Sequence, residues 1–332
     1  GYAAYVLVLR LNPRYRIGWF ETGLKAASMM EDRSAQENHL CSLGNAYYYL
    51  GETRKTIAYY ERALAIADEI GNLSGEEAEL GNLGNAYIDL GDTREAIEYY
   101  ERALAIASEV GDRRGEGNAL NNLGNAYALL DEMCKAIEYY EKALAIAREI
   151  GDRMGEGNRL GNLGNTCDIL GDTYKAIEYY EQSLAIAREI GNRHKEAECL
   201  CNLGSTWLEL NDTSMAIKYC TESLDLACKI EYRKIEGEAI NDLGKAYFCL
   251  GQLDKSLDHC EKALRIFKDM EYRRGEANAL FIKSLALDRL NRREEAEAQA
   301  SEALQIFEQI ESPLAEKVRQ QLAAWQSPKE ES

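Results

Sequence analysis

The chain has 332 residues, 46% apolar and 29% charged, with three prolines and a formal net charge of −18. This is the composition of a folded, helix-rich protein, and its acidity argues against nucleic acid as a partner, since phosphate binding calls for a basic stripe. No apolar run approaches the roughly 18 to 20 residues a membrane-spanning helix needs. No signal peptide is visible either, although the sequence opens at Gly1 without a methionine and any targeting segment would lie upstream of it.

From the amino end, Tyr2 to Leu11 is almost wholly apolar, which suits packing against further sequence upstream. Tyr15 to Glu31 reads as the second helix of an incomplete repeat, because Trp19-Phe20 falls where Tyr59-Tyr60 falls forty residues later. Residues 1–33 are thus expected to form flanking helices and a truncated repeat.

Residues 34–310 repeat every forty positions. Asn82-Leu83-Gly84-Asn85-Ala86-Tyr87 recurs at Asn122 to Tyr127, then as Asn162 to Cys167 and Asn202 to Trp207, with weaker echoes at Ser42, Asp242 and Ile282. Ala96 to Leu104 keeps step with Ala136 to Leu144. A fixed period of this size is the signature of a stacked solenoid. The expected fold is all-α: a right-handed α-solenoid of about seven antiparallel helix pairs plus flanking helices.

In each unit a first helix is predicted from about Arg114 to Leu130, with Leu120, Leu123, Gly124 and Tyr127 on one face. A second is predicted from about Thr93 to Val110, with Ala96, Tyr100, Ala103 and Ala107 inward and Gly71, Gly111, Gly151 or Gly191 ending it. Glycine inside a helix costs about 1 kcal/mol relative to alanine. Gly44, Gly84, Gly124, Gly164, Gly204 and Gly244 therefore imply a close helix contact, expected at the small residues Ala96, Ala136, Ala176 and Ala216.

After the repeats, Ser312-Pro313 starts one more helix over residues 311–325, whose Leu314, Val318, Leu322 and Trp325 form a capping stripe; residues 326–332 are a polar tail.

Chemistry is sparse. His39, His194 and His259 fall out of register with one another, so neither a nucleophile–base pair nor an enzyme is expected. The nine cysteines include no C-x-x-C, and Cys199 and Cys201 point to opposed sides of a helix. Cys220 and Cys260 take the slot of Tyr60, Tyr100, Tyr140 and Tyr180, and read as small core residues in a reducing, cytoplasmic setting. No metal and no cofactor is expected.

The pattern of Leu120, Leu123-Gly124, Tyr127, Ala136, Tyr140 and Ala143 resembles the tetratricopeptide repeat, with a forty-residue unit in place of the usual 34. Phrases such as Gly111 to Leu120 are similar to the repeats of LGN/Pins adaptors, which hold extended peptides in their groove. They are equally similar to the carboxyl-terminal sensor arrays of prokaryotic STAND-type signalling NTPases, which Ser284 to Leu290 and Ala303 to Pro313 also resemble. No GxxxxGK[ST] is present, so any NTPase part would lie before Gly1.

The resemblance implies that the first helix of each pair lines a concave groove. Asn82 and Asn85, then Asn118, Asn122 and Asn125, then Asn158, Asn162 and Asn165, and Asn202 make a ladder there, each amide able to clamp a backbone N–H and C=O. A second ladder, with Arg113, Arg153 and Arg193, either pairs with glutamates three residues on or recognises carboxylates. Tyr48 and Tyr49 make the amino end aromatic, while Lys245, Phe248, Phe281 and Arg289 make the far end mixed and partly basic. The expected function is non-enzymatic capture of an extended protein or peptide segment, as the sensor or adaptor region of a larger signalling protein, without nucleic acid or membrane. The alternatives are self-assembly, with association through the amino-terminal end, and a small-molecule inducer sensor.

Overall fold

The computed structural model describes residues 13–326. Tyr2 to Leu11 and residues 327–332, with the expectations attached to them, lie outside the described residues. Among the described residues there are sixteen helices and no strand. Helix α1 (Pro13–Met29) precedes α2 (Arg33–Tyr48) and α3 (Thr53–Ile70), α4 (Leu73–Leu90) and α5 (Thr93–Val110), and α6 (Arg113–Leu129) and α7 (Met133–Glu149). Next come α8 (Arg153–Ile169) and α9 (Thr173–Glu189), α10 (Arg193–Glu209) and α11 (Thr213–Lys229), and α12 (Arg233–Cys249) and α13 (Leu253–Asp269). Helices α14 (Arg273–Arg289), α15 (Arg293–Gln309) and α16 (Leu314–Gln326) complete the order: seven helix–turn–helix units flanked by α1 and α16.

Local chemistry sets these boundaries. Asp32, Asn72, Asp92, Asp112, Asn192 and Asp212 each accept a backbone N–H three residues ahead, which satisfies an orphan donor of the first turn. Gly71 and Gly111 end α3 and α5 at φ 68° and 74°, as expected of a terminal glycine. In the later repeats Glu231, Glu271 and Glu311 take the same left-handed conformation (φ 56°, 55° and 51°), so the turn survives loss of glycine.

The chain divides into two compact units between Thr166 and Cys167. In the first, α2 packs on α3, α4 on α5 and α6 on α7, and each pair packs on the next. The contact that glycine permits differs from the expectation. A Cβ on Gly84 would fall 2.3 Å from Tyr100 Cε1, and Gly44 and Gly124 stand in the same relation to Tyr60 and Tyr140. The glycines accommodate a tyrosine ring from the second helix, and not the alanine slot. A second layer is aromatic: Tyr47 stacks on Tyr59, Tyr87 on Tyr99 and Tyr127 on Tyr139, each at 5.2 Å between ring centres.

In the second unit α10/α11, α12/α13 and α14/α15 pack likewise. Buried Cys220 and Cys260 replace the tyrosine beneath Gly204 and Gly244. Cys199 faces Ser183 of α9, whereas Cys201 packs against Ile235 and Ala239 of α12. The core ends on Phe267, Leu280 and Phe307, over which α16 lays Val318 and Leu322. Trp325 Nε1 donates to Asp288 Oδ2 at 3.0 Å.

Candidate functional site

The asparagine ladder is assembled by the glycine–tyrosine contact. With its ring seated over Gly84, Tyr100 carries its hydroxyl to the next residue and donates to Asn85 Oδ1 at 2.7 Å. Tyr60 and Tyr140 do the same to Asn45 and Asn125, both at 2.8 Å. The bond fixes which way the amide faces. Asn85 and Asn125 are exposed, and with Oδ1 bound by tyrosine each presents its NH₂ outward.

Among the other predicted residues, Asn118, Asn158 and Asn165 are exposed, while Asn82, Asn122, Asn162 and Asn202 are half-buried. Neighbouring repeats are partly tied through the ladder: Asn162 Nδ2 donates to Asn121 Oδ1 at 3.1 Å and to Asn125 Oδ1 at 3.3 Å. Asn118 Oδ1 accepts from Arg159 Nη2 at 3.0 Å, and Asn82 lies beside the buried Glu79 carboxyl, whose pKa it lowers. Asn122 and Asn158 make no side-chain hydrogen bond among the described residues. Asn202 lies on α10 in the second unit.

The arginine ladder is engaged in ion pairs. Arg113 pairs with Glu116 and also reaches Glu149 in the last turn of α7. Arg153 pairs with Glu156, and Arg193 with Glu196 at 2.7 Å. Arg148 and Arg188 approach Glu156 and Glu196 from the preceding helix, so each of these buried carboxylates is bound by two guanidinium groups. Burial pushes the Glu196 carboxyl up, but the bonds from Arg193 and Arg188 outweigh it and hold the group below its ordinary value.

Buried charges in the first unit, Glu79 and Arg159 among them, escaped the sequence reading. Glu79 is 2% exposed, and burial pushes its carboxyl up to about 7 despite the donors Cys41 and Asn82. Arg159 is 6% exposed, and burial lowers its pKa. The signal that reveals them is the column three residues before the ladder asparagine, where His39, Glu79, Ala119, Arg159 and Cys199 follow one another. Variation inside so regular an array marks a place that stacking does not dictate.

The amino end is aromatic, with Tyr48 set edge-on to Tyr49 at 6.1 Å. The second unit departs from the partly basic expectation. Arg289 lies over the Phe248 ring and donates to the Phe248 carbonyl at 3.2 Å. The charge of Lys245 lowers the pKa of Asp168 and Asp242, although burial and neighbouring acids leave these at about 6 and about 7.

The three histidines pack against separate aromatic rings: Phe20, Tyr232 and Tyr247. Among the described residues no group of three or more His, Cys, Asp or Glu side chains is placed to hold a metal, and no helix is long and apolar enough to cross a membrane. Burial raises the thiols of Cys199, Cys201, Cys220 and Cys260, which makes them poor nucleophiles.

No curated protein matches the chain. Among solved structures it is similar to BtubC (BKLC) from P. vanneervenii, at 20% identity over 67% of this chain and 93% of that one, with a TM-score of 0.61. It is similar also to a signal transduction ATPase with numerous domains and a tetratricopeptide repeat sensor, from Pyrococcus horikoshii. That match has 21% identity and a TM-score of 0.68, and it covers 97% of this chain but 48% of the ATPase, so the chain spans about half of that protein. A Rap protein complexed with competence and sporulation factor matches at 14% identity over 93% of this chain and 86% of the other, TM-score 0.59. These likenesses concern the fold. The tetratricopeptide repeat family matches the sequence at residues 34–109, 76–149, 116–189, 156–229 and 236–309. The chain belongs to the tetratricopeptide repeat family.

Proposed function

We propose that this protein is a non-enzymatic recognition module that captures an extended protein or peptide segment along the asparagine-bearing faces of its first helices. The observation that carries this reading is the orientation of Asn85 and Asn125, whose NH₂ groups are turned outward by a tyrosine bound to the opposite side of each amide. A series of fixed donors at one spacing suits the carbonyls of an extended backbone. Each such bond contributes only about 0.5 to 1.5 kcal/mol, so affinity is built from several rungs. The structural relative complexed with a factor supports a role in capture, and the likeness to a STAND sensor supports a place as the sensor or adaptor region of a larger signalling protein. The free thiols suit a cytoplasmic setting.

The test uses a random twelve-residue peptide library displayed on phage and selected against the whole chain. Peptides enriched on the unmodified protein should lose at least ten-fold in affinity on the double variant Asn85→Asp/Asn125→Asp, which keeps both tyrosine bonds and removes both outward donors. Absence of any enriched sequence, or undiminished binding to the variant, refutes the reading.

A second reading, self-association through the amino end, draws on Tyr15, Trp19 and Met29, which are exposed on one side of α1. Light scattering decides it. A concentration-dependent dimer abolished by Trp19→Lys supports it, and a monomer throughout excludes it.

A further inference from the structure

Two charged side chains beneath the ladder are buried without making an ion pair among the described residues. Glu79 Oε2, on α4, has no hydrogen-bond partner. The carboxylate beside it, Glu37, is also buried and is bound by the Asn72 amide. Neither has a cation within ion-pair distance among the described residues. Arg159, on α8, has an unpartnered Nε, and its Nη2 donates to the Gly117 carbonyl at 3.3 Å and to Asn118. Asp152 is the carboxylate whose charge acts on it, and it does not reach ion-pair distance.

Both residues hold the same place in the forty-residue unit, two units apart, with neutral Ala119 between them. Stacking requires neither charge, because alanine fills that place in α6. A buried charge that makes no ion pair is costly to the fold. Here each one lies against a ladder asparagine, Asn82 or the exposed Asn118, through which it is linked to the surface where a segment would lie.

We propose that the occupant of the first unit carries a basic group that settles at Glu79 and an acidic group that settles at Arg159, which fixes both its register and its direction. The inference rests on the capture reading above and specifies what is captured. Contacting helices ordinarily lie about 8–10 Å apart, and a step of that size is taken for each unit. Two units therefore correspond to roughly six residues of extended chain at ~3.3 to 3.6 Å each. The opposite charges make one chain direction favourable and the reverse repulsive at both ends.

The same phage library tests this on the full chain. Enriched sequences should carry Lys or Arg and, five to seven positions away, Asp or Glu, always in one order. Glu79→Gln should erase the basic preference alone and Arg159→Met the acidic preference alone, each with at least ten-fold weaker binding of the selected peptide and a melting temperature no lower than that of the unmodified protein. Should either variant fail to fold, synthetic peptides with Lys→Gln or Glu→Gln, titrated against the unmodified protein, read the same two contacts. Enrichment without a charge pair, in both orders equally, or with preferences the variants leave intact overturns this proposal while leaving the capture reading standing. If no sequence is enriched, the capture reading falls and this one falls with it.

Discussion

Tyr100 reaches across from α5 to donate its hydroxyl to Asn85 on α4, a bond of 2.7 Å that exists because Gly84 has no side chain in the way of the ring. Glycine, asparagine and tyrosine therefore form one device, although they lie fifteen residues apart in sequence. The sequence varies accordingly. All three are present together at Gly44-Asn45-Tyr60, Gly84-Asn85-Tyr100, Gly124-Asn125-Tyr140 and Gly164-Asn165-Tyr180. Where cysteine replaces tyrosine, the asparagine becomes Ser205 or Lys245, and where the glycine becomes Ser284 the other two become Leu285 and Ala300.

Gly84→Ala should destabilise the protein. Alanine brings about 1 kcal/mol of helix propensity, but its Cβ would lie 2.3 Å from the Tyr100 ring, and overpacking costs typically 1–3 kcal/mol. Gly244→Ala should be close to neutral, because there the Cβ meets Cys260 Sγ at 3.1 Å and a sulfur can shift. Denaturant midpoints of the two variants give the comparison. Equal losses would show that the ring is not the obstacle.

Glu79→Gln should raise stability above neutral pH and leave it nearly unchanged below the ordinary carboxyl value of 4.5. The carboxyl moves from an ordinary 4.5 up to about 7 on folding, so the folded state favours the protonated form. The contribution of that proton is fully present below the unfolded value and is lost as pH rises through about 7. The full shift corresponds to an effect on the order of 3 kcal/mol. Unfolding at about pH 4 and pH 8.5, on either side of the window, checks it, and a variant equally displaced at both pH values would contradict the assignment.

Arg188→Ala/Arg193→Ala should cost about 1–3 kcal/mol at pH 7, the penalty of leaving the buried Glu196 carboxylate unmet. The sign of the pH dependence is opposite to that of Glu79. The Glu196 carboxyl is held below its ordinary value, so its contribution is present above the unfolded pKa and fades as pH falls through the folded one. The variant should lack this acid-side loss, which urea unfolding from pH 3 to 7 would display.

Period, helix limits, caps and the inward faces were all legible, because each follows from short-range spacing: the helix expected from about Arg114 to Leu130 is found at Arg113–Leu129. The pairing of Arg193 with Glu196 was legible as an i, i+3 relation. The partner of Gly84 was not. Periodicity tells which face a residue occupies, whereas the choice between Ala96 and Tyr100 depends on the depth of contact between two helices. Arg113 reaching Glu149 likewise depends on how a hairpin closes its open end. Glu79 and Arg159 were missed for another reason: a motif read as a consensus averages away the single repeats that depart from it.

The matching surroundings of Tyr60, Tyr100 and Tyr140 have a genetic consequence. A surface that fits its neighbour in one hairpin fits the same neighbour in the next, so excising residues 93–132, one forty-residue period, would join Asp92 to Met133 with turn and contacts preserved. Unequal crossing-over within such a gene would lengthen or shorten the array by whole forty-residue units without having to invent a new junction.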